Sequence, residues 1–248
     1  NKESNGYFYL KKDPKTLITN SLYFHRIGEQ AKKDKLIYKE SDRQFNLSIS
    51  LSRTKKYIFL QISKTESNET WYLNLDNEID GLKLFYKRKN NHLYYVDDTP
   101  ENFFILSNRK NKKNFALYKT DLNTTNENNW KTYIAHRKDE LIEDFLCFKD
   151  FIILETRKNG CSNLIQFNRK NKRKKYIDFK DEAFTVSLTN NNDYKRKEFS
   201  FAFSSLKTPP SIFAQDLYSG KRKKLWSQKI NNHKENDFTT KRISIRAR

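Results

Sequence analysis

Apolar and polar side chains alternate along this chain in short stretches, and the stretches recur. Asn46-Leu47-Ser48-Ile49-Ser50-Leu51 places its apolar residues at every second position, the period of a half-buried β-strand. Lys56-Tyr57-Ile58-Phe59-Leu60-Gln61-Ile62 is more continuously apolar, Glu69 to Leu75 follows as a third strand, and Lys83-Leu84-Phe85-Tyr86 is a short fourth. The same set of four returns at 92–96, 102–106, 114–119 and 130–134, at 141–148, 150–155, 162–167 and 175–179, and at 184–188, 198–203, 211–217 and 224–227. Corresponding strands begin at Trp71, Phe115, Leu164 and Ile212, a repeat of about 44–48 residues. Asn159-Gly160, Asn190-Asn191-Asn192-Asp193 and Ser219-Gly220 supply turn chemistry between strands.

Four strands per repeat of this length is the pattern of a propeller blade, in which each blade buries its faces only against its neighbours. Ahead of the four repeats, Tyr7 to Lys11, Leu22 to His25 and Lys35 to Tyr38 read as the last three strands of an earlier blade. The expected fold is therefore all-β, an incomplete β-propeller of about four and a half four-stranded antiparallel blades over residues 1–230. Residues 231–248 read as a polar linker followed by one more short strand, Arg242 to Ala247, with alternating arginines. No closing strand is visible, and open sheet edges invite unwanted pairing; either the partial ring closes in an unusual way, or a partner supplies the rest, or the chain is a fragment, which is the favoured expectation.

Composition changes this picture little. Aromatic residues are 15% of the chain and hydrophobic residues only 35%, so Phe and Tyr carry much of the apolar surface of half-buried strands. The net charge of +20 favours anionic partners in general. Its lysines are spread with asparagine through every turn, without a nucleic-acid-binding signature, so the reading at this level is a solvated basic surface. Cys147 and Cys161 form no CxxC pair and no zinc-ligand cluster, and read as reduced thiols, a disulfide between neighbouring strands being the alternative. No stretch approaches the roughly 20 apolar residues of a membrane helix, and no secretory leader is visible. These features read as a cytoplasmic chain with no membrane partner.

Particular residues carry a family resemblance. Leu22-Tyr23-Phe24-His25-Arg26-Ile27-Gly28 with Asp34-Lys35-Leu36-Ile37-Tyr38-Lys39-Glu40 resembles the propeller of the oligopeptidase B (protease II) branch of the prolyl oligopeptidase family of serine peptidases. Ser63 to Glu69, Lys113 to Tyr118, and Phe203 to Pro209 leading to Asp216-Leu217-Tyr218-Ser219-Gly220 agree with it at the right spacings. The resemblance implies the later blades of a seven-bladed propeller set over an α/β-hydrolase domain, with residues 231–248 as the connection toward that domain. It also implies cleavage after Arg or Lys in oligopeptides by the whole enzyme, with the propeller controlling access.

The chain itself shows no catalytic apparatus. A nucleophilic serine of this kind needs the sharp G-x-S-x-G elbow, and Gly6, Gly28, Gly81, Gly160 and Gly220 are too far apart to form one. His25, His92, His136 and His233 are scattered, with no motif marking a general base. No catalytic, cofactor-binding or metal-binding residue is assigned, and no cofactor is expected. Asp97-Asp98 and Asp139-Glu140 lie at strand ends, where they either line the propeller tunnel or, the favoured reading, form solvated turns balancing nearby lysines. Glu143 and Asp144 fall on an inner strand and are the candidate substrate-channel residues. Pro209-Pro210 cannot donate to a ladder and marks either a rigid turn facing the hydrolase domain or a plain connection.

The leading expectation is a substrate-gating propeller, inactive alone, whose oligopeptide substrate requires a catalytic domain, including one encoded separately. A stand-alone propeller scaffold for protein binding is the alternative, and a basic nucleic-acid-binding protein a third, against which the even spread of charge argues.

Overall fold

The computed structural model describes residues 5–76 and 81–246. Its regular elements are almost entirely strands, nineteen in the described residues, arranged in five sheets. Two compact units are formed, one from Asn1–Lys112 with Leu117–Ile134, the other from Lys113–Ala116 with Ala135–Arg248.

In the first unit, β1 (Gly6–Lys12), β2 (Thr19–Arg26) and β3 (Lys35–Lys39) make a three-stranded sheet in sequence order. The second sheet comprises β4 (Asn46–Leu51), β5 (Tyr57–Lys64), β6 (Ser67–Asn74) and β7 (Lys83–Tyr86). The third comprises β8 (Tyr94–Asp98), β9 (Asn102–Ser107), β10 (Ala116–Asp121) and β11 (Lys131–Ile134). The second unit holds β12 (Leu141–Cys147), β13 (Phe151–Lys158), β14 (Cys161–Asn168) and β15 (Lys174–Tyr176) as the fourth sheet, then β16 (Phe184–Leu188), β17 (Glu198–Ser205), β18 (Ser211–Asp216) and β19 (Arg222–Ser227) as the fifth. Every sheet is an antiparallel meander in which strands follow one another in chain order, the pattern of a propeller blade. All nineteen match the strands expected from alternation.

Local chemistry fixes the hairpins. The β13–β14 connection is the two-residue loop Asn159-Gly160, with φ of 50° and 78°, the left-handed pair that a tight hairpin turn requires and that Asn-Gly supplies with little strain. In the first, second, third and fifth sheets the register slips by one residue between the last two strands, at Leu22/Tyr23, Thr70/Trp71, Leu117/Tyr118 and Ile212/Phe213. A bulge there increases twist and blunts an exposed edge against pairing with another chain.

The cores are aromatic, as the composition implies. Phe103 is fully buried and meets the rings of Tyr57 at 5.2 Å and Phe85 at 5.1 Å, the latter edge-on. Leu22, Phe45, Leu47, Leu60 and Ile62 join the first two sheets, with Phe8 and Trp71 against them. In the second unit Phe148, Ile153, Leu164, Val186, Phe199 and Phe201 fill the space between the fourth and fifth sheets. Each such side chain contributes about 1.5–3 kcal/mol by leaving water.

One expectation is corrected. Residues 242–246 form no strand, and Ala247 lies outside the described residues. No neighbouring strand among the described residues offers this stretch a ladder. Instead, Arg242 donates its backbone N–H to Glu182 at 3.2 Å and its guanidinium to Cys161 Sγ at 2.9 Å and to the Asn159 carbonyl. Cys147 and Cys161 are not joined by a disulfide, and their positions exclude that alternative. Cys147 pairs with Ile152 at one end of β13 and Cys161 with Lys158 at the other, a separation of roughly 20 Å at the rise of a strand, far beyond disulfide reach.

Candidate functional site

Glu143 owes its position to a bulge. In the β12–β13 ladder Ile142 faces Thr156 and Asp144 faces Glu155, so Glu143 is the extra residue and its side chain is turned out of the regular alternation. Its Oε1 accepts from Arg157 Nε at 2.8 Å. Its Oε2 is enclosed yet has no hydrogen-bond partner. Asp144 is exposed, and its Oδ1 accepts the N–H of Phe145 at 2.7 Å.

A third carboxylate joins them that the alternation pattern does not single out. Glu155 sits on β13 directly across from Asp144, and its Oε2 accepts the backbone N–H of Leu188 on β16 at 2.7 Å. Burial pushes its pKa up, the Leu188 N–H opposes this, and the neighbouring charges of Asp144 and Glu143 raise it further. The one signal in the sequence is an acid directly after the apolar run Phe151-Ile152-Ile153-Leu154. Strands β12 and β13, with the end of β16 alongside, thus bring together three carboxylates, with Arg157 as a partial counter-ion. Such a cluster attracts cationic side chains; it contains no nucleophile placed for bond cleavage.

The other acidic pairs are structural. Asp97 and Asp98 correct the expectation of solvated turns: Asp98 is fully buried and Asp97 lies against Arg53, Oδ2 to Nε 3.6 Å. Burial raises Asp97 to about 7, against the opposing Arg53 charge. Asp139 does face solvent, between Arg137 at 2.9 Å and Lys158 at 3.0 Å, and hydrogen bonds from these two hold its carboxyl well below the usual range. Its neighbour Glu140 departs from the expectation, being buried and accepting from Tyr176 at 2.7 Å and Thr156 at 3.3 Å.

A Ser–His hydrogen bond does occur, His92 Nε2 to Ser107 Oγ at 2.9 Å. It is sealed: Ser107 is fully buried, and its Oγ also accepts the Arg109 N–H at 3.1 Å. Burial holds His92 below its ordinary pKa. His25 is tied to Asp34 at 2.6 Å and His233 to the Lys207 carbonyl at 2.8 Å. Among the described residues no group of three His, Cys, Asp or Glu side chains is arranged to hold a metal ion.

Pro209-Pro210 closes the β17–β18 turn. Ser205 Oγ accepts the Thr208 N–H at 2.9 Å, and the Pro210 carbonyl accepts the Gln228 N–H at 2.9 Å. Lys207 pairs with the buried Asp181 at 3.0 Å, so the turn is fixed from both sides.

Known proteins resemble the chain across this architecture. Residues 1–228 match the family described as "Prolyl oligopeptidase, N-terminal beta-propeller domain". "Dipeptidyl aminopeptidase BI" of Pseudoxanthomonas mexicana is 25% identical over 241 residues, 97% of this chain and 33% of that protein. "Protease 2" of Moraxella lacunata is 26% identical over 201 residues, 81% of this chain and 28% of that protein. The solved oligopeptidase B of Leishmania major superposes with a TM-score of 0.86 at 18% identity, covering 94% of this chain and 34% of its own. The chain thus spans about a third of the length of these relatives. With the family match covering all five sheets, the chain belongs to the prolyl oligopeptidase family, as its N-terminal β-propeller domain.

Proposed function

We propose that the chain is the substrate-gating propeller of a serine endopeptidase of the oligopeptidase B kind, which cleaves oligopeptides after Arg or Lys. The observation that carries this reading is the placement of Glu143, Asp144 and Glu155 on adjoining strands, with Arg157 paired to Glu143. A focused negative field in an otherwise strongly basic protein draws cationic peptides. Gating contributes access and selection, and bond cleavage falls to a Ser-His-Asp triad on an α/β-hydrolase domain, whether joined to this chain or encoded separately. A cytoplasmic location fits processing of short peptides. Among the described residues no helix is long and apolar enough to cross a membrane.

The test is hydrolysis of arginyl, lysyl and prolyl reporter peptides by this chain alone and by the product of the gene extended past Arg248. The chain alone is expected to be inactive, and the extended or complemented form to prefer Arg and Lys. A preference for Pro, or turnover by the chain alone, overturns the reading.

A further inference from the structure

The basic charge that looks evenly spread in sequence is drawn together by the fold in the second unit. Residues 169–175 contain six Lys and Arg side chains and no acid, and residues 221–224 read Lys-Arg-Lys-Lys. These runs are separated in sequence, yet they occupy the outer strands of adjoining sheets, β15 and β19, with the turns that lead into them. Two hydrogen bonds tie the sheets together on this side. Gln166, which pairs with Lys175, donates its side-chain amide to the Leu217 carbonyl at 2.6 Å. Arg222 donates to the Asp178 carbonyl at 3.1 Å and lies over the Phe179 ring at 4.8 Å.

Both strands carry the same arrangement. Lys174-Lys175 is followed by Tyr176, 40% exposed, and Lys223-Lys224-Leu225 by Trp226, 53% exposed. The outer strands of the second and third sheets differ: Lys83-Leu84-Phe85-Tyr86 and Lys131-Thr132-Tyr133-Ile134 have one lysine each, and Phe85 is buried. Arg173, Lys174, Lys175, Lys180 and Lys221 are exposed, and no ion pair to a described carboxylate holds them. Lys223 and Lys224 are partly neutralised by Glu198 at 3.0 Å and Glu235 at 3.9 Å.

We infer that the outer strands β15 and β19 of these adjoining sheets form a binding strip for single-stranded nucleic acid. Lysines spaced along an extended edge suit a phosphodiester backbone, and exposed aromatic rings at the strand ends offer platforms on which unpaired bases stack. Addition of a peptide strand to β19 is disfavoured by the bulge at Leu225, which breaks its ladder between Phe213 and Ile212; a bulged edge makes a poor template. A lipid surface calls for a broader apolar face than one Trp and one Leu provide.

The test uses the full chain and fluorescein-labelled oligo(U) of about 20 nucleotides, enough to span more than one such binding module, followed by fluorescence anisotropy across a salt series. Binding is expected, with quenching of Trp226 emission and affinity that falls steeply with salt. The triple variant Lys174→Glu, Lys175→Glu, Lys221→Glu should bind at least about tenfold more weakly. Its salt slope should be shallower by about 2, at roughly 0.7 for each phosphate no longer neutralised. A control triple variant in the first unit, Lys32→Glu, Lys33→Glu, Lys35→Glu, should retain most of the affinity, with circular dichroism verifying the fold of both. Equal weakening in both variants shows unspecific attraction to net charge and overturns the assignment. So does absence of binding at low salt, or association with phosphatidylserine vesicles that oligo(U) fails to compete.

Discussion

Thr54 donates both its backbone N–H, at 3.1 Å, and its hydroxyl to the carboxylate of Asp98, 44 residues away. The turn between β4 and β5 is thereby tied to the end of β8, so the second and third sheets are joined by a buried polar clamp as well as by aromatic packing. Burial raises the Asp98 pKa, and the Thr54 bonds work against that rise. Thr54→Val keeps the shape and removes the hydroxyl donor, leaving a buried carboxylate oxygen short of a partner. The expected destabilisation is about 2 kcal/mol, read from the urea midpoint of unfolding. A midpoint shift near zero would mean that the clamp is replaced by water.

Asp97, beside this clamp, gives the fold a pH dependence of defined sign. Its folded pKa of about 7 lies above the usual carboxylate range because burial disfavours its charged form. Between about pH 4 and pH 7 the native state holds a proton there that the unfolded chain has released, so stability falls as pH rises through that window. Asp97→Asn cannot ionise and should flatten the stability profile over the same interval, most visibly in unfolding curves collected at about pH 5 and pH 8, on either side of the folded pKa. Parallel profiles for the variant and the parent would show that Asp97 is ionised throughout.

The strands were legible because each buries its residues in a period of two, and that signal is local. What stayed hidden depends on partners remote in sequence. Asp97-Asp98 looks like any acidic turn until Arg53 and Thr54 are placed against it. The bulge that turns Glu143 outward is a property of two strands, so the pattern of β12 alone does not show it. Glu155 joins the candidate site by facing Asp144 across the β12–β13 ladder, and the N–H of Leu188, 33 residues later, anchors it. The strand expected at 242–247 has the right alternation, but alternation requires a neighbouring ladder to become a strand. Over 242–246 the chain has a guanidinium docked on the β13–β14 turn instead.

Arg88 shows the same long-range dependence. Its guanidinium bonds Glu40 at 2.8 Å, stands 3.8 Å from Glu69, and covers the ring of Phe45 at 4.1 Å. Glu40 is nearly inaccessible, its side chain 3% exposed. Removing Arg88 leaves a buried carboxylate without its main counter-charge, so Arg88→Ala should cost about 3 kcal/mol. Adding Glu40→Gln to that variant should recover part of the stability, because the neutral amide tolerates burial better. A double-mutant cycle by chemical denaturation measures the coupling, and strict additivity would show that the ion pair contributes nothing of its own.

The acidic cluster makes a kinetic prediction for the peptidase that contains this propeller. Glu143 is partly exposed, and its pair with Arg157 is screened accordingly, so its pull on a passing cationic side chain is modest. Glu143→Gln together with Asp144→Asn should lower kcat/KM for arginyl and lysyl oligopeptides about threefold, the equivalent of roughly 0.7 kcal/mol. The effect should appear in KM and shrink with added salt, since both residues act before the chemical step. A neutral reporter peptide should be unaffected. Equal decreases for neutral and basic substrates would assign these carboxylates to holding β12 in place, and unchanged kinetics for both would remove them from the path of the substrate.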